Sequence, residues 1–216
     1  MDKKTVFSHV DHTLLKADAK WEEVDRVCRE AVEHNMASAC IPPRFVKNAK
    51  DTYGNRLNVC TVIGFPLGYN TTRVKVYETQ QAVLDGADEI DMVIHVGDAK
   101  SGDFDRITEE IRAVKAACEG RILKVIVETC YLTEEEKTEV CGCVSEAGAD
   151  FIKTSTGFGT GGAVPQDIEL FLKCLAPGIK IKASGGIRTR EAIEGFLKQG
   201  VERIGASAAL KAYENE

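Results

Sequence analysis

Short apolar runs alternate along the chain with longer segments in which apolar residues recur at helical spacing. Eight of these runs predict strands, spaced roughly 20 to 35 residues apart, about the length of one βα unit. The predicted strands are Val6–Val10, Ala37–Ile41, Asn58–Ile63, Glu89–Ile94, Leu123–Glu128, Phe151–Thr154, Ile179–Ala183 and Arg203–Gly205. Because short links join the alternating elements, the pattern favours a parallel sheet with helices packed outside it.

The predicted helices have recognisable ends. Thr133 and Glu136 form a capping box ahead of one helix, and Pro165 stands where the first turn of another tolerates proline. Helices are expected to end at three glycines, which are Gly86, Gly148 and Gly200.

An internal repeat marks the entries to the fourth, sixth and eighth strands. Segments 86–91, 148–153 and 200–205 share the form G-[AV]-[DE]-x-I-x. Because side chains alternate between the two faces of a strand, the isoleucine of each repeat is predicted to face the helices. These isoleucines are Ile90, Ile152 and Ile204. The residue that follows each isoleucine is then predicted to face the opposite side.

The repeat favours a closed barrel. An open doubly wound sheet also alternates strands and helices, but eight units with a two-unit repeat fit a TIM (β/α)8 barrel better. Each interior layer of such a barrel takes its side chains from alternate strands, so Asp91, Lys153 and Gly205 are predicted to lie at one level. We therefore predict an α/β chain that forms a single domain over residues 1–216.

Composition and charge exclude several classes of protein. Hydrophobic residues make up 44% and charged residues 29% of the chain, which is typical of a globular protein. No run approaches the roughly 20 apolar residues of a membrane span, and the first residues lack the apolar core of a signal peptide. A cytoplasmic protein without a membrane partner is therefore expected. The net charge of -6 argues against a nucleic-acid partner.

Eight cysteines and four histidines give no metal or disulfide signal. There is no CxxC or H-E-x-x-H motif, and most cysteines fall in apolar strand or helix patterns. We expect free, mostly buried thiols and no metal. The G-x-S-x-G elbow of a serine hydrolase is also missing from the sequence.

Two lysines stand near the carboxyl ends of neighbouring predicted strands. Lys153 lies in the sixth strand and Lys182 in the seventh, just before a pair of glycines. A lone lysine there usually extends to water. For a lysine to attack a carbonyl group, its pKa must fall from about 10.4 to near 7, which requires roughly 4 to 5 kcal/mol. A second cation about 5 Å away supplies on the order of 3 kcal/mol at a dielectric constant near 20, and burial can supply the rest.

Together with Asp91, the two lysines predict a Schiff-base site at the barrel mouth. Asp91 would keep one lysine protonated and pass protons, while the other lysine becomes the nucleophile. Spacing alone allows either Lys153 or Lys182 to be that nucleophile. Lys124 in the fifth strand is a third inward candidate, and its early position in the strand also suits a structural balance with Asp91 or Glu128.

The loop after Lys153 matches a motif of dinucleotide-binding sites. Residues 157–162 match G-x-G-x-x-G between a strand and a helix. The acidic residue that binds the ribose should follow about 20 residues later, at the end of the next strand. Because Lys182 stands there instead, we set the dinucleotide interpretation aside.

Glycine-rich turns point to a phosphate site. In barrels of this type, phosphate often binds to backbone N–H groups after the seventh and eighth strands. One such turn is weak evidence, since glycines are common in turns for steric reasons, but three of them follow neighbouring strands here. The candidate residues are Gly157, Ser184, Gly185, Gly186 and Ser207.

Five motifs stand in order along nearly the whole chain. They are DHTLLK at 11–16, CTVIGFPLG at 60–68, EIDMVI at 89–94, FIKTSTG at 151–157 and KASGGIR at 182–188. Together they resemble deoxyribose-phosphate aldolase, a class I aldolase family with a TIM-barrel fold. The resemblance implies reversible cleavage of 2-deoxy-D-ribose 5-phosphate to glyceraldehyde 3-phosphate and acetaldehyde, without a metal or other cofactor.

The resemblance also implies roles by position. Lys153 resembles the lysine that forms the Schiff base, and Asp91 and Lys182 resemble the pair that relays protons to and from the substrate hydroxyl group. Asp11 resembles a supporting acid near that pair, and Cys40 matches a cysteine at the mouth of the site. Relatives are commonly dimers or tetramers, so a homo-oligomer is expected.

The roles of two aromatic positions stay open. Some members of the family carry a phosphate-binding lysine where this chain has Phe158, so phosphate binding is expected to rest on backbone N–H groups and on Ser184 or Ser207. A tyrosine near the C-terminus contributes to the site in some relatives, and Tyr213 is the residue to compare.

Two other functions also stay open. One is a different Schiff-base barrel lyase, acting on another aldehyde or keto acid, and the other is a sugar-phosphate-binding barrel without catalysis.

Overall fold

Eight parallel strands close into a barrel, in the order of the sequence, within residues 1–214, the range that the computed structural model describes. The strands are β1 (Val10–Thr13), β2 (Ser38–Ile41), β3 (Val59–Ile63), β4 (Glu89–Val93), β5 (Ile122–Ile126), β6 (Phe151–Lys153), β7 (Lys180–Ser184) and β8 (Arg203–Ala206). β8 pairs with β1 and closes the sheet. The predicted TIM barrel is confirmed, and the open doubly wound sheet is excluded.

The prediction of a first strand over Val6–Val10 is wrong. Residues Lys3–Phe7 form a short helix, α1, and β1 begins only at Val10. Asp2 caps this helix, because its carboxylate accepts a hydrogen bond from the backbone N–H group of Thr5. The apolar residues of α1 are buried as those of a strand would be, which explains the error. The other seven strands lie within two residues of their predicted bounds.

Helices flank the strands and cover the outside of the barrel. They are α1 (Lys3–Phe7), α2 (Trp21–Glu33), α3 (Val46–Tyr53), α4 (Thr72–Leu84), α5 (Val96–Ser101), α6 (Phe104–Ala117), α7 (Glu134–Glu146), α8 (Pro165–Cys174), α9 (Arg190–Lys198) and α10 (Ala209–Ala212). The predicted capping box of Thr133 and Glu136 is present at α7, and α8 begins at Pro165. Across the described part of the chain, none of the helices has the length and apolar character that a membrane crossing requires.

The hydrophobic core lies between the barrel and its helices. Ile90, Ile152 and Ile204 are fully buried in it, together with helix residues such as Ile111 and Ile193. The repeat therefore places its isoleucines on the outer face of the barrel, as predicted.

Strand register arranges the inward side chains in layers. From one strand to the second strand after it, the residue at the same height lies two positions beyond the register partner. Around the eight strands this shift adds up to a shear of about 8, that of a TIM barrel. One layer consists of Cys40, Asp91, Lys153 and Gly205, the layer beneath it of Asp11, Cys60, Lys124 and Lys182, and the next of Ser38, Glu89, Phe151 and Arg203. The level predicted for the three inward repeat residues is confirmed.

Candidate active site

Asp91 lies inside the barrel in contact with three ammonium groups. Its Oδ2 accepts hydrogen bonds from Lys153 Nζ at 2.9 Å and from Lys182 Nζ at 2.6 Å. Its Oδ1 accepts a hydrogen bond from Lys124 Nζ at 2.8 Å. Burial alone would raise the pKa of Asp91, but the three ammonium groups hold that pKa well below its usual value. Asp91 is therefore ionised, and two lysines from adjacent strands share one of its oxygen atoms.

Lys182 has a second carboxylate partner. Its Nζ lies 2.5 Å from Asp11 Oδ2. Burial alone would lower the pKa of Lys182, but the charges of Asp11 and Asp91 raise it above the usual value. Gly205 leaves room for this side chain, since a Cβ atom at Gly205 would lie 3.1 Å from Lys182 Cε. Lys182 is therefore held as an ammonium group.

Two charged residues below this pair were not predicted from the sequence. Arg203 Nη1 lies 2.5 Å from Asp11 Oδ1 and 3.0 Å from Glu89 Oε2. Glu89 Oε2 also lies 2.5 Å from Lys124 Nζ. The available signal was the period of two along a strand, because Glu89 precedes Asp91 by two residues on β4 and Arg203 precedes the inward glycine of β8 by two. Both residues extend the charged cluster down the barrel axis.

Within residues 1–214, the barrel interior holds three acidic and four basic side chains in one cluster. They are Asp11, Glu89, Asp91, Lys124, Lys153, Lys182 and Arg203. Lys153 has the fewest carboxylate partners in the cluster, because it pairs with Asp91 alone, whereas Lys182 pairs with two carboxylates and Lys124 with three. The cluster is electrically balanced when Lys153 carries no proton. The geometry thus distinguishes two lysines that spacing left exchangeable.

A cavity of about 190 Å³ opens at Lys153. Its lining includes every residue predicted to bind phosphate, namely Gly157, Ser184, Gly185, Gly186 and Ser207. Ser207 is exposed, whereas Ser184 is buried and its hydroxyl group donates a hydrogen bond to the backbone oxygen of Ser155 at 2.6 Å. The Ser184 hydroxyl group therefore stabilises the turn, and its proton is already donated to the backbone of Ser155.

Arg188 adds a cation to this cavity, and no role was predicted for it. Its side chain is exposed and lines the same cavity as Lys153. It stands two residues after Gly186, at the end of the glycine-rich turn, which was the available signal. A guanidinium group can bind a phosphate group with two hydrogen bonds. Arg188 can therefore supply a positive charge to the cavity although Phe158, and not a lysine, follows Gly157.

The two aromatic residues left open by the sequence occupy different places. Phe158 is 55% exposed, and its ring meets that of Phe65 edge-on with 5.3 Å between the ring centroids. This contact joins the loops after β3 and β6. Tyr213 is buried against Phe7, and its hydroxyl group donates to Glu194 Oε1 at 3.2 Å. Among the described residues, Tyr213 is not part of the cavity lining.

Glu128 anchors the loop that follows β6. Its carboxylate accepts a hydrogen bond from the backbone N–H group of Thr156 at 3.1 Å and another from the Thr156 hydroxyl group. These bonds fix the residue directly before Gly157.

The sequence suggested Asp91 or Glu128 as a structural partner of Lys124. In the structure, Lys124 contacts Asp91.

The glycine run after Lys153 packs against the loop after β7. A Cβ atom at Gly162 would lie 2.2 Å from the backbone oxygen of Gly185, a distance at which no side chain fits. The close approach of two loops therefore explains the last glycine of the G-x-G-x-x-G match.

Cys40 is fully buried on β2, in the layer of Lys153. Its sulfur, the sulfur of Cys60 and a carboxylate oxygen of Asp91 lie within 4.8 Å of one another, as do ligand atoms of Asp11, Cys60 and Glu89. These donor sets do not suit a metal ion, because each carboxylate already contacts ammonium or guanidinium groups that repel a further cation.

Sequence comparisons match the whole chain to aldolases. A model described as DeoC/LacD family aldolase matches residues 5–213. A deoxyribose-phosphate aldolase of Clostridium botulinum is 52% identical over 216 residues, which are 100% of this chain and 98% of the relative. A deoxyribose-phosphate aldolase of Streptococcus pyogenes is also 52% identical over 216 residues, which are 100% of this chain and 97% of the relative.

Solved structures share the fold. A protein from Coccidioides immitis matches with a TM-score of 0.95 and 37% sequence identity, covering 100% of this chain and 87% of that one. The deoxyribose phosphate aldolase of Aeropyrum pernix, described as a tetramer, matches with a TM-score of 0.91 and 32% identity, covering 99% of this chain and 92% of that one.

Proposed function

Because the chain belongs to the DeoC/LacD family of aldolases, we propose that it cleaves 2-deoxy-D-ribose 5-phosphate reversibly to glyceraldehyde 3-phosphate and acetaldehyde. Relatives 52% identical to the chain are named for this substrate. The observation that carries the proposal is the position of Lys153 and Lys182, whose Nζ atoms both bind Oδ2 of the buried Asp91. A Schiff-base lysine can perform the cleavage without a metal.

Lys153 acts as the nucleophile in this proposal, since it lines the cavity and pairs with a single carboxylate, that of Asp91. Its amine attacks the aldehyde carbon of the open-chain sugar, and loss of water gives an iminium ion. The C2–C3 bond then breaks, its electrons move into the iminium ion, and glyceraldehyde 3-phosphate leaves. Protonation and hydrolysis of the enamine release acetaldehyde and restore the lysine.

Asp91 and Lys182 manage the protons. The hydroxyl group at C3 must lose its proton as the C2–C3 bond breaks. Asp91 is ionised and can accept that proton through a water molecule, while the ammonium group of Lys182 can return a proton to the enamine. Asp11 supports Lys182 from the same layer of the barrel, and Lys124 supports Asp91.

The glycine-rich side of the cavity is the proposed phosphate site. Backbone N–H groups of Gly157, Gly185 and Gly186 and the hydroxyl group of Ser207 are close enough together to line one cavity with Arg188. Backbone donors at such turns suit an anion, and the guanidinium group adds a charge-assisted contact.

A cleavage assay tests the proposed reaction. Acetaldehyde release from 2-deoxyribose 5-phosphate is followed with alcohol dehydrogenase and NADH, and consumption of ribose 5-phosphate and of a keto acid is followed by chromatography. We expect release from 2-deoxyribose 5-phosphate alone. Cleavage of only another sugar phosphate or keto acid would favour a different Schiff-base lyase. Binding of sugar phosphates without turnover of any would favour a non-catalytic barrel.

We also propose that the chain forms a homo-oligomer in the cytoplasm. α4 exposes Val74, Tyr77 and Leu84 at a spacing that puts them on one face, and the Aeropyrum pernix relative is described as a tetramer. All eight cysteines lie in the described residues and are free, which suits a reducing compartment. Light scattering after gel filtration tests the assembly, and a monomeric mass would contradict it.

A further inference from the structure

Cys40 and Cys60 form a pair of thiols inside the barrel that the aldol mechanism does not use. They are register partners on β2 and β3, and their side chains share one interior cluster with Val62. Neighbouring strands lie about 4.8 Å apart, within the range of about 4.4 to 6.8 Å that a disulfide allows between Cα atoms. The two sulfur atoms lie within 4.8 Å of each other. The pair thus has the backbone spacing of a disulfide while both thiols are free.

The surroundings of the pair lower the pKa of the Cys40 thiol. A hydrogen bond with Cys60 lowers this pKa more than burial raises it, and the charges of Lys182 and Lys153 lower it further against the opposing charge of Asp91. Burial raises the pKa of Cys60 well above its usual value. The Cys60 thiol also donates to Asp91 Oδ1 at 3.2 Å. Cys40 is therefore the thiol that is expected to react first, and Cys60 is the thiol beside it that can close a disulfide.

Other buried thiols of the chain lack these surroundings. Burial raises the pKa of Cys28, Cys118 and Cys141 to about 12 in each case. Oxidants react with the thiolate form of cysteine, so these three residues are expected to be inert under conditions that oxidise Cys40.

We propose that Cys40 and Cys60 are a reversible modification site whose reactant is a hydroperoxide such as hydrogen peroxide. The Cys40 sulfur attacks one peroxide oxygen, the O–O bond breaks, and a sulfenic acid forms with release of the first water. The Cys60 sulfur then attacks the Cys40 sulfur, the S–O bond breaks, and the hydroxyl group leaves as a second water with the proton of the Cys60 thiol. Two thiols lose two electrons in total, and one hydrogen peroxide is reduced to two waters.

We expect a small peroxide to reach the buried Cys40 from the cavity at Lys153. Lys153 lines the cavity, and Cys40 lies in the same layer of the barrel as Lys153. The disulfide would remove the S–H donor from Asp91, whose carboxylate binds both lysines. Because a hydrogen bond to a charged group is lost, we expect the oxidised chain to lose about tenfold or more of its aldolase activity.

Peptide mapping of the oxidised full chain tests the proposal directly. The chain is treated with hydrogen peroxide, free thiols are blocked with N-ethylmaleimide, and the protein is digested with trypsin without reduction. We expect peptide Glu30–Arg44 joined to peptide Leu57–Arg73, lighter than their sum by two hydrogen atoms, and dithiothreitol should separate them and restore activity. Both peptides fully alkylated, or a crosslink between other cysteines instead, would overturn the proposal.

A Cys60→Ser variant separates the two steps. Serine keeps a hydroxyl donor for Asp91 but cannot close the disulfide, so excess peroxide should oxidise Cys40 to a sulfinic acid that dithiothreitol does not reverse. Activity is compared with the same variant before treatment. Recovery with dithiothreitol equal to that of the unmodified sequence would contradict the role of Cys60. The mapping does not depend on turnover, so a failure of the proposed aldolase function leaves this test valid.

Discussion

Lys153 and Lys182 are identical residues at paired positions of β6 and β7, yet their surroundings differ. Both bind Oδ2 of Asp91, but only Lys182 also contacts Asp11, which Arg203 holds from below. A lysine between two carboxylates is held in its charged form, and of these two lysines only Lys182 has a second carboxylate. This difference in carboxylate partners supports the proposed roles of Lys153 as nucleophile and Lys182 as proton donor.

A Lys182→Met variant is expected to turn over slowly. It removes the ammonium group that returns a proton to the enamine, so we expect kcat to fall about 100-fold or more, a typical contribution of a positioned acid. Lys180→Met is the matched control, because Lys180 is exposed on the same strand and does not pair with Asp91. Steady-state kinetics check the result, and equal kcat values for the two variants would contradict the assignment.

An Arg188→Met variant is expected to weaken binding of the phosphate group. We expect KM for 2-deoxyribose 5-phosphate to rise about tenfold, the effect of losing one charge-assisted contact, while cleavage of unphosphorylated deoxyribose stays unchanged. Arg73→Met, on the exposed face of α4, controls for the loss of one positive charge. If both variants raised KM equally, the long-range field of the protein and not a local contact would be responsible.

At the scale of single elements, β4 shows how alternation builds the site. Glu89 and Asp91 point into the barrel, while Ile90 between them packs against the helices. One short strand therefore contributes two carboxylates to the interior and an apolar residue to the core. Lys124 bridges both carboxylates from the adjacent β5.

A Glu89→Gln variant is expected to destabilise the fold. It leaves the buried Lys124 and the largely buried Arg203 with one carboxylate fewer, and breaking a buried ion pair from one side costs about 3 to 5 kcal/mol. Glu109→Gln on the exposed face of α6 should change the free energy of unfolding by less than about 0.5 kcal/mol. Urea denaturation measures both, and equal midpoints would show that Glu89 has only a surface role.

Period-two alternation and the three repeats were sufficient to predict seven strands, the barrel and the inward direction of Asp91 and Lys153. The capped start of α7 followed from Thr133 and Glu136 in the same way. The local pattern predicted a strand where α1 forms, because two consecutive buried apolar residues, here Val6 and Phe7, occur both in short helices and in strands.

Contacts between distant segments were beyond prediction from local pattern. Arg203 and Glu89 are separated by more than a hundred residues, and only closure of the barrel brings them together. The same holds for Arg188, whose place in the cavity depends on loops from several strands.

At the scale of the whole molecule, barrel closure concentrates charge on the axis. Strands β1, β4, β5, β6, β7 and β8 each contribute charged side chains to one buried cluster. Isolated buried charges would be very costly, so the cluster is stable only because each charge has partners of opposite sign. Catalytic groups and fold stability are therefore coupled.

Acid is expected to destabilise the fold through Asp11 and Asp91. Burial alone would raise both pKa values, but the surrounding cations hold them below the usual value. Their contribution to the free energy of unfolding is therefore complete above about pH 4 and is lost as the pH falls toward their folded values. The pKa of Lys182 is raised, so its contribution is complete below about pH 10 and is lost above it.

Urea midpoints measured across pH check this linkage. We expect the contribution of the cluster to be constant from about pH 5 to pH 9 and the midpoint to fall steeply below about pH 4. A midpoint that does not change down to about pH 2 would show that these carboxylates are not stabilised in the folded chain.

The most direct test of the account is reductive trapping of the Schiff base. Incubation with acetaldehyde and borohydride should add one ethyl group to Lys153, located by peptide mapping, with loss of activity in proportion to the modification. A Lys153→Met variant should remain unmodified at the site and inactive. An ethyl group on Lys182 or Lys124, or an unmodified Lys153 in an enzyme that remains fully active, would contradict Lys153 as the nucleophile.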